Sequence, residues 1–122
     1  MAIKSRWFLT VSMDIPADRE ELFNHLYETE HMPQLAAVPG VLSAVRSKRI
    51  EMEMYYTGKL HRIDPGNEAK YSIIYELESP DVVKTKAWDT AGDTGRWPTE
   101  IRPYATNRTM ILREVISRMG ED

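Results

Sequence analysis

Hydrophobic residues along the chain follow two periods, and the points where one gives way to the other mark its elements. From Trp7 to Met13 one face reads Trp7, Leu9, Val11 and Met13 and the other Phe8, Thr10 and Ser12, an alternation that predicts a strand. Asp14-Ile15-Pro16 turns the chain, and the spacing then lengthens. Leu22 and Leu26 stand one helical turn apart with Phe23 and Tyr27 beside them, the stripe of an amphipathic helix. Asp18 is placed as its N-cap, and Glu21 three residues on gives a capping-box spacing. Pro33 disfavours helical geometry at Met32, so the helix is predicted to end or kink near His31. Leu35 to Val38 has room for a short further turn before Pro39-Gly40 breaks the chain.

A long second strand is predicted from about Val41 to Thr57. Its phase changes partway: Val41 and Val45 are odd-numbered, whereas Ile50, Met52 and Met54 are even. A bulge around Ser47-Lys48 would reconcile the halves, because one extra residue flips every later side chain. Gly58 to Glu68, with Asp64-Pro65-Gly66-Asn67, reads as a turn or hairpin loop. Lys70 to Leu77 alternates again as a third strand. Ser79-Pro80-Asp81 supplies a cap, a proline and a first-turn acid for a second helix running to about Ala91. A proline-interrupted stretch from Arg96 to Tyr104 leads to a last strand from about Arg108 to Ile116, and Arg118 to Asp122 reads as frayed.

No linker divides this order of strand, helix, long strand, strand, helix, strand, so residues 1–122 are expected to form one domain. The order predicts an α+β fold, the ferredoxin-like βαββαβ arrangement: a four-stranded antiparallel sheet with two helices on one face. The opposite face is expected to carry Trp, Met, Tyr and Ile side chains. An apolar face of that size predicts a homodimer or higher homo-oligomer, two sheets packing face to face.

Composition changes the picture mainly by exclusion. Lysine and arginine number 16 against 19 acids, a net charge of −3, which argues against nucleic acid as a partner. The absence of cysteine removes thiol chemistry and disulfides and suits a reducing cytoplasm. No apolar run approaches the roughly 20 residues that span a bilayer, and the first residues lack the apolar core of a signal peptide. A cytoplasmic protein with no membrane partner is the expectation. Asn107-Arg108-Thr109 fits a glycosylation sequon, which carries no meaning without secretion.

His31 leads the candidate chemistry. Imidazole titrates near neutrality, so a pocket can tune it into a general acid or base; the alternative is a histidine that simply caps a helix C-terminus. His25, six residues earlier, falls on another face, and His61 lies in a polar loop. Arg46 suits holding a carboxylate or steadying an enolate or phenolate oxygen; Arg46-Ser47-Lys48-Arg49 equally suits the solvated edge of a strand. Trp88, Trp97, Tyr104, Tyr71 and Tyr75 can line a hydrophobic pocket with hydroxyl and indole donors, or serve as core and interface. Trp97 and Tyr104 stand out because they flank prolines in a loop. Asp89 and Asp93 read as a solvated pair. A single Glu28-x-x-His31 spacing on a short helix does not make a di-iron site, which needs two such motifs, and no metal is expected. No glycine-rich phosphate loop or Gly-x-Ser-x-Gly motif is present, so nucleotide chemistry is not expected either.

The segment NHLYETEHMPQLAAVPGVLSAVR resembles the signature of the dimeric α+β barrel superfamily, particularly its EthD-like branch, as does AWDTAGDTGRWPTEIRP for the second helix and its loop. The resemblance covers nearly the whole chain. It implies that His31 is the helix-end histidine of the branch, Pro39-Gly40 its turn and Arg46 its strand arginine. Relatives include cofactor-independent monooxygenases, isomerases, cyclases, dehydratases, haem-degrading enzymes and proteins with no known reaction. The implied activity is therefore lyase, isomerase or monooxygenase-type chemistry without a cofactor. His31 and Arg46 would be catalytic, and Trp97, Tyr104, Tyr71 and Trp88 would bind a hydrophobic or aromatic metabolite. A haem bound axially through His31 has no other support in the sequence. A non-catalytic carrier of a hydrophobic ligand and a purely structural oligomer remain as alternatives.

Overall fold

The computed structural model describes residues 3–120. Met1 and Ala2, where the signal-peptide question begins, and Glu121 and Asp122, the end of the stretch expected to fray, lie outside the described residues. Four strands form the antiparallel sheet: β1 (Trp7–Asp14), β2 (Val41–Lys48), β5 (Tyr71–Leu77) and β6 (Thr106–Glu114), in the order β2-β5-β1-β6. That is the ferredoxin-like order, with the first and third main-sheet strands at the centre. Antiparallel pairing puts Leu9 between Tyr75 and Leu112, and Val11 between Ile73 and Met110.

The helices pack on one face of this sheet. Leu9, Val11, Met13, Tyr71, Ile73 and Tyr75 from the sheet meet Phe23, Leu26, Leu35, Val82, Trp97 and Ile101 in one buried cluster. The open face therefore differs from expectation. Tyr71, Tyr75, Ile73 and Met13 point into the core, while the open face carries Phe8, Thr10, Ser12, Val45, Ile74 and Ile111. Glu76 is also buried on that face, where its carboxylate accepts from the Lys4 and Ser5 backbone N–H groups and from the hydroxyls of Ser5 and Ser43. The open face is thus more polar than the sequence pattern suggested.

The first helix does not stop at Pro33. It runs as α1 (Glu20–Leu26), a π-helical turn (Tyr27–His31) and α2 (Met32–Ala36), with Met32 itself helical at φ −65°, ψ −47°. Within a regular α-helix, proline removes a hydrogen bond and its ring strikes the carbonyl four residues back. Here the Met32 N–H reaches the Tyr27 carbonyl instead, five residues back. The wider turn takes up the proline without ending the helix. Asp18 is not a side-chain cap; it lies in a 3-10 turn, Ala17–Arg19, that leads into α1.

The long strand is two objects. β2 ends at Lys48, and after a break at residues 49–51 the chain forms a separate hairpin, β3 (Met52–Tyr56) with β4 (Lys59–Ile63). The phase change arises from this break, not from a bulge at Ser47-Lys48; the observed register shift in β2 lies between Val41 and Ser43. β4 also occupies much of the stretch read as loop. The second helix is divided too. Residues Pro80–Lys84 form a 3-10 turn capped by the Ser79 hydroxyl, and extended Thr85 then caps α3 (Lys86–Gly92). α4 (Trp97–Glu100) and a 3-10 turn, Arg102–Tyr104, complete the layer. No helix among the described residues is long and apolar enough to cross a membrane.

Candidate functional site

Tyr27, His31 and Leu35 recur every four residues, so one side of the first helix presents all three toward the sheet. Opposite them stand Leu9, Val11 and Tyr75, and α3, α4 and the start of β6 close the sides. The space between them is a cleft of about 400 Å³, within the range of small-molecule sites. A larger hollow of about 540 Å³ lies at the base of the β3–β4 hairpin, but exposed residues such as Ile50, Glu51 and Met52 border it. The smaller cleft holds the buried polar groups.

His31 is 6% exposed. Trp97 lies flat against its ring, 4.1 Å between centroids and 10° between planes, and Tyr27 meets it edge-on at 5.2 Å. Its Nδ1 is buried without a hydrogen-bond partner. The imidazole therefore does not cap its own helix; stacking holds it in the cleft wall. Burial first, and then the positive charges of Arg102 and Arg108, lower its pKa from 6.5 to about 4, so the ring is neutral at pH 7.

Tyr75 is 1% exposed, and its hydroxyl has no hydrogen-bond partner. Burial and the neighbouring Tyr27 hydroxyl push its pKa far above the ordinary tyrosine range, so it stays a neutral donor. Burial likewise raises Tyr27 to about 12. At the rim Arg102 is committed to Asp93 at 2.7 Å and to the Gly92 carbonyl at 2.7 Å.

Arg108 also lines the cleft and is exposed. Among the described residues no hydrogen bond or ion pair engages it. A register shift between Ser12 and Asp14 lies beside it at the start of β6. Asn107 adopts a left-handed conformation there (φ 51°), which asparagine tolerates, and its amide donates to Asp14 and to the Asn67 carbonyl.

Three of the six site residues expected from sequence meet in this cleft: His31, Trp97 and Trp88. Arg46 does not join them. Its guanidinium bonds Asn24 Oδ1 at 2.7 Å and Glu28 at 3.1 Å and lies over the rings of Tyr27 and Phe23. It thus faces Tyr27 without lining the cleft that holds His31. Tyr71 is core, its hydroxyl donating to Glu20 at 2.7 Å, and Tyr104 lies on the surface beneath the Arg19 guanidinium. Sequence reasoning missed Arg102 and Arg108. Parity along β6 would have put Arg108 on the same face as Met110, but only once that face was known to meet the cleft. Among the described residues no three His, Asp or Glu side chains converge on a point where a metal would sit.

No protein-family model matches the chain, and no curated protein matches its sequence. Solved structures do resemble its fold. An EthD family protein from Bacillus halodurans superposes with a TM-score of 0.58 at 10% identity, over 90% of this chain and 99% of that one. The haem-degrader MhuD from Mycobacterium tuberculosis, determined with two haems in its active site, gives 0.51 at 18% identity, over 93% and 99%. A dimeric ferredoxin-like protein from an uncultured marine organism gives 0.62 at 15% identity, over 98% and 95%. The chain thus has a ferredoxin-like α+β fold.

Proposed function

We propose that this protein is a cofactor-independent enzyme that moves a proton on a small hydrophobic or aromatic metabolite, with His31 as the acid–base group. The observation that carries the reading is a neutral imidazole, buried against Trp97, with no main-chain bond to occupy it and a cleft of ligand size beside it. A neutral imidazole accepts a proton. A carbon acid next to a carbonyl loses its proton to the ring, and the electron pair moves onto the carbonyl oxygen as an enolate. Return of the proton to another carbon gives an isomer; loss of a leaving group gives elimination. Positioned acid–base groups contribute about 10²–10⁴-fold.

The Tyr75 hydroxyl, kept protonated by burial, supplies a donor for the developing oxyanion. That role passes to Tyr75 from Arg46, which Asn24 and Glu28 hold elsewhere. With a conjugate acid near 4, the resting ring is a weak base. A negative charge developing beside it offsets the repulsion from Arg102 and Arg108 and raises its basicity during the reaction. Phe8, Val45, Ile74 and Ile111 on the open sheet face support a homodimer packed through that face, and one structural neighbour is described as dimeric.

The weakness of that base favours one second reading, a carrier that binds the same ligand without turning it over. Native mass spectrometry of the purified protein identifies a retained compound, and turnover of that compound by wild type and His31→Gln separates the two. A fall of at least 100-fold in kcat with retained binding is expected. Unchanged turnover in the variant removes His31 from any mechanism, and binding without turnover by wild type leaves the carrier.

A further inference from the structure

The charge of the ligand can be read from the rim of the cleft. Its body is set by Leu9, Val11, Tyr27, Trp88 and Trp97, an apolar and ring-lined surface. Four charged side chains border it: Arg102, Arg108, Asp89 and Asp93. Arg102 and Asp93 satisfy each other at 2.7 Å. Arg108 has no such partner among the described residues. Asp89 is exposed on α3, where water satisfies a carboxylate. Both arginines act on His31 to disfavour its charged form, and of the two Arg108 has no carboxylate bonded to it among the described residues. The cleft also contains a nine-tenths-buried hydroxyl, that of Tyr75, with no partner of its own.

We infer that the cleft selects hydrophobic carboxylates, with Arg108 receiving the anionic group. This deepens the proposed function by naming the substrate class, and it rests on that reading only for the identity of the site. A guanidinium beside apolar walls suits a carboxylate, which it meets with two parallel N–H bonds in a partly desolvated setting. Asn107 strengthens the case. Its left-handed backbone and two amide bonds fix the point where β6 begins, so Arg108 issues from an anchored position and not from a loose loop. A cationic ligand would meet both arginines at once, and a neutral one would leave Arg108 unused.

The test compares 2-naphthoate with 2-naphthamide, which share a ring system and differ in charge, by isothermal titration calorimetry. Wild type is expected to bind the acid at least tenfold more tightly than the amide. Arg108→Gln should weaken the acid about tenfold, or about 1.4 kcal/mol, and change the amide less than twofold. Raising salt from 50 to 500 mM should weaken the acid in wild type only. Because Arg108 is exposed, the substitution leaves the core intact, and unaltered amide binding verifies this in the same titrations. Equal binding of acid and amide, no binding of the acid, or an equal loss of both in Arg108→Gln overturns the inference. None of these readouts uses turnover. An inert protein that still prefers the acid removes the enzyme reading and keeps this one; an active His31 with no charge preference does the reverse.

Discussion

Protonating His31 should unfold this protein by a predictable amount. In the unfolded chain the imidazole titrates near its ordinary 6.5; in the folded chain burial and two arginines hold it at about 4. Between those values the unfolded state binds more protons, so stability is complete above pH 6.5 and falls as pH drops toward 4. The full difference corresponds to about 3 kcal/mol, of which about 2 kcal/mol is already lost at pH 5. Glu20 and Glu76, whose carboxyls the fold holds below the ordinary 4.5, lose their contributions only at lower pH, so the window from 5 to 8 isolates the histidine. Urea denaturation of wild type and His31→Gln across that window measures the difference in slope, which does not depend on how much the substitution costs at neutral pH. Wild type should lose about 2 kcal/mol more than the variant between pH 8 and pH 5. Parallel curves, or an NMR titration placing His31 near 6.5, would refute the claim that the ring is desolvated.

Trp97→Ala removes the plate that covers His31 and the ring that meets Phe23 and Tyr27, and should cost about 3–5 kcal/mol in urea denaturation. Gly40→Ala should be severe for its size, about 2–4 kcal/mol by thermal denaturation. Its φ is 93° and an added Cβ would sit 2.6 Å from Val82 Cγ2. Arg46→Met should lower stability by about 1 kcal/mol through loss of Asn24 and Glu28, while naphthoate affinity measured by calorimetry stays within twofold. A larger loss of affinity would return Arg46 to the site. Ile111→Glu on the open face should shift sedimentation velocity from dimer to monomer without altering the far-ultraviolet circular dichroism.

Much of the site was within reach of the chain's own patterns, and the misses share a physical origin. Alternation marks a strand and the spacing of Leu22 and Leu26 marks a helix, because each period reflects the local geometry of the backbone. Trp97 and His31 stood out beside prolines, where regular pattern gives way. The Ser79 cap depends on neighbours two residues away and was equally visible. Pro33 misled because the rule that it ends a helix assumes α-helical spacing, and one π turn removes the clash.

The sequence by itself determined the four strands of the main sheet, the antiparallel fold they imply and the lack of any cysteine, and it singled out His31 as a candidate. Tertiary structure alone decided which polar groups share a space with that histidine. Arg46 falls outside the cleft and Arg108, sixty-two residues farther on, lines it, because β6 pairs with β1 and α3 and α4 close the cleft from the far end of the chain. Burial decided protonation in the same way. A side chain's charge state follows from the water it loses and the charges that surround it, and both depend on residues far from it in sequence.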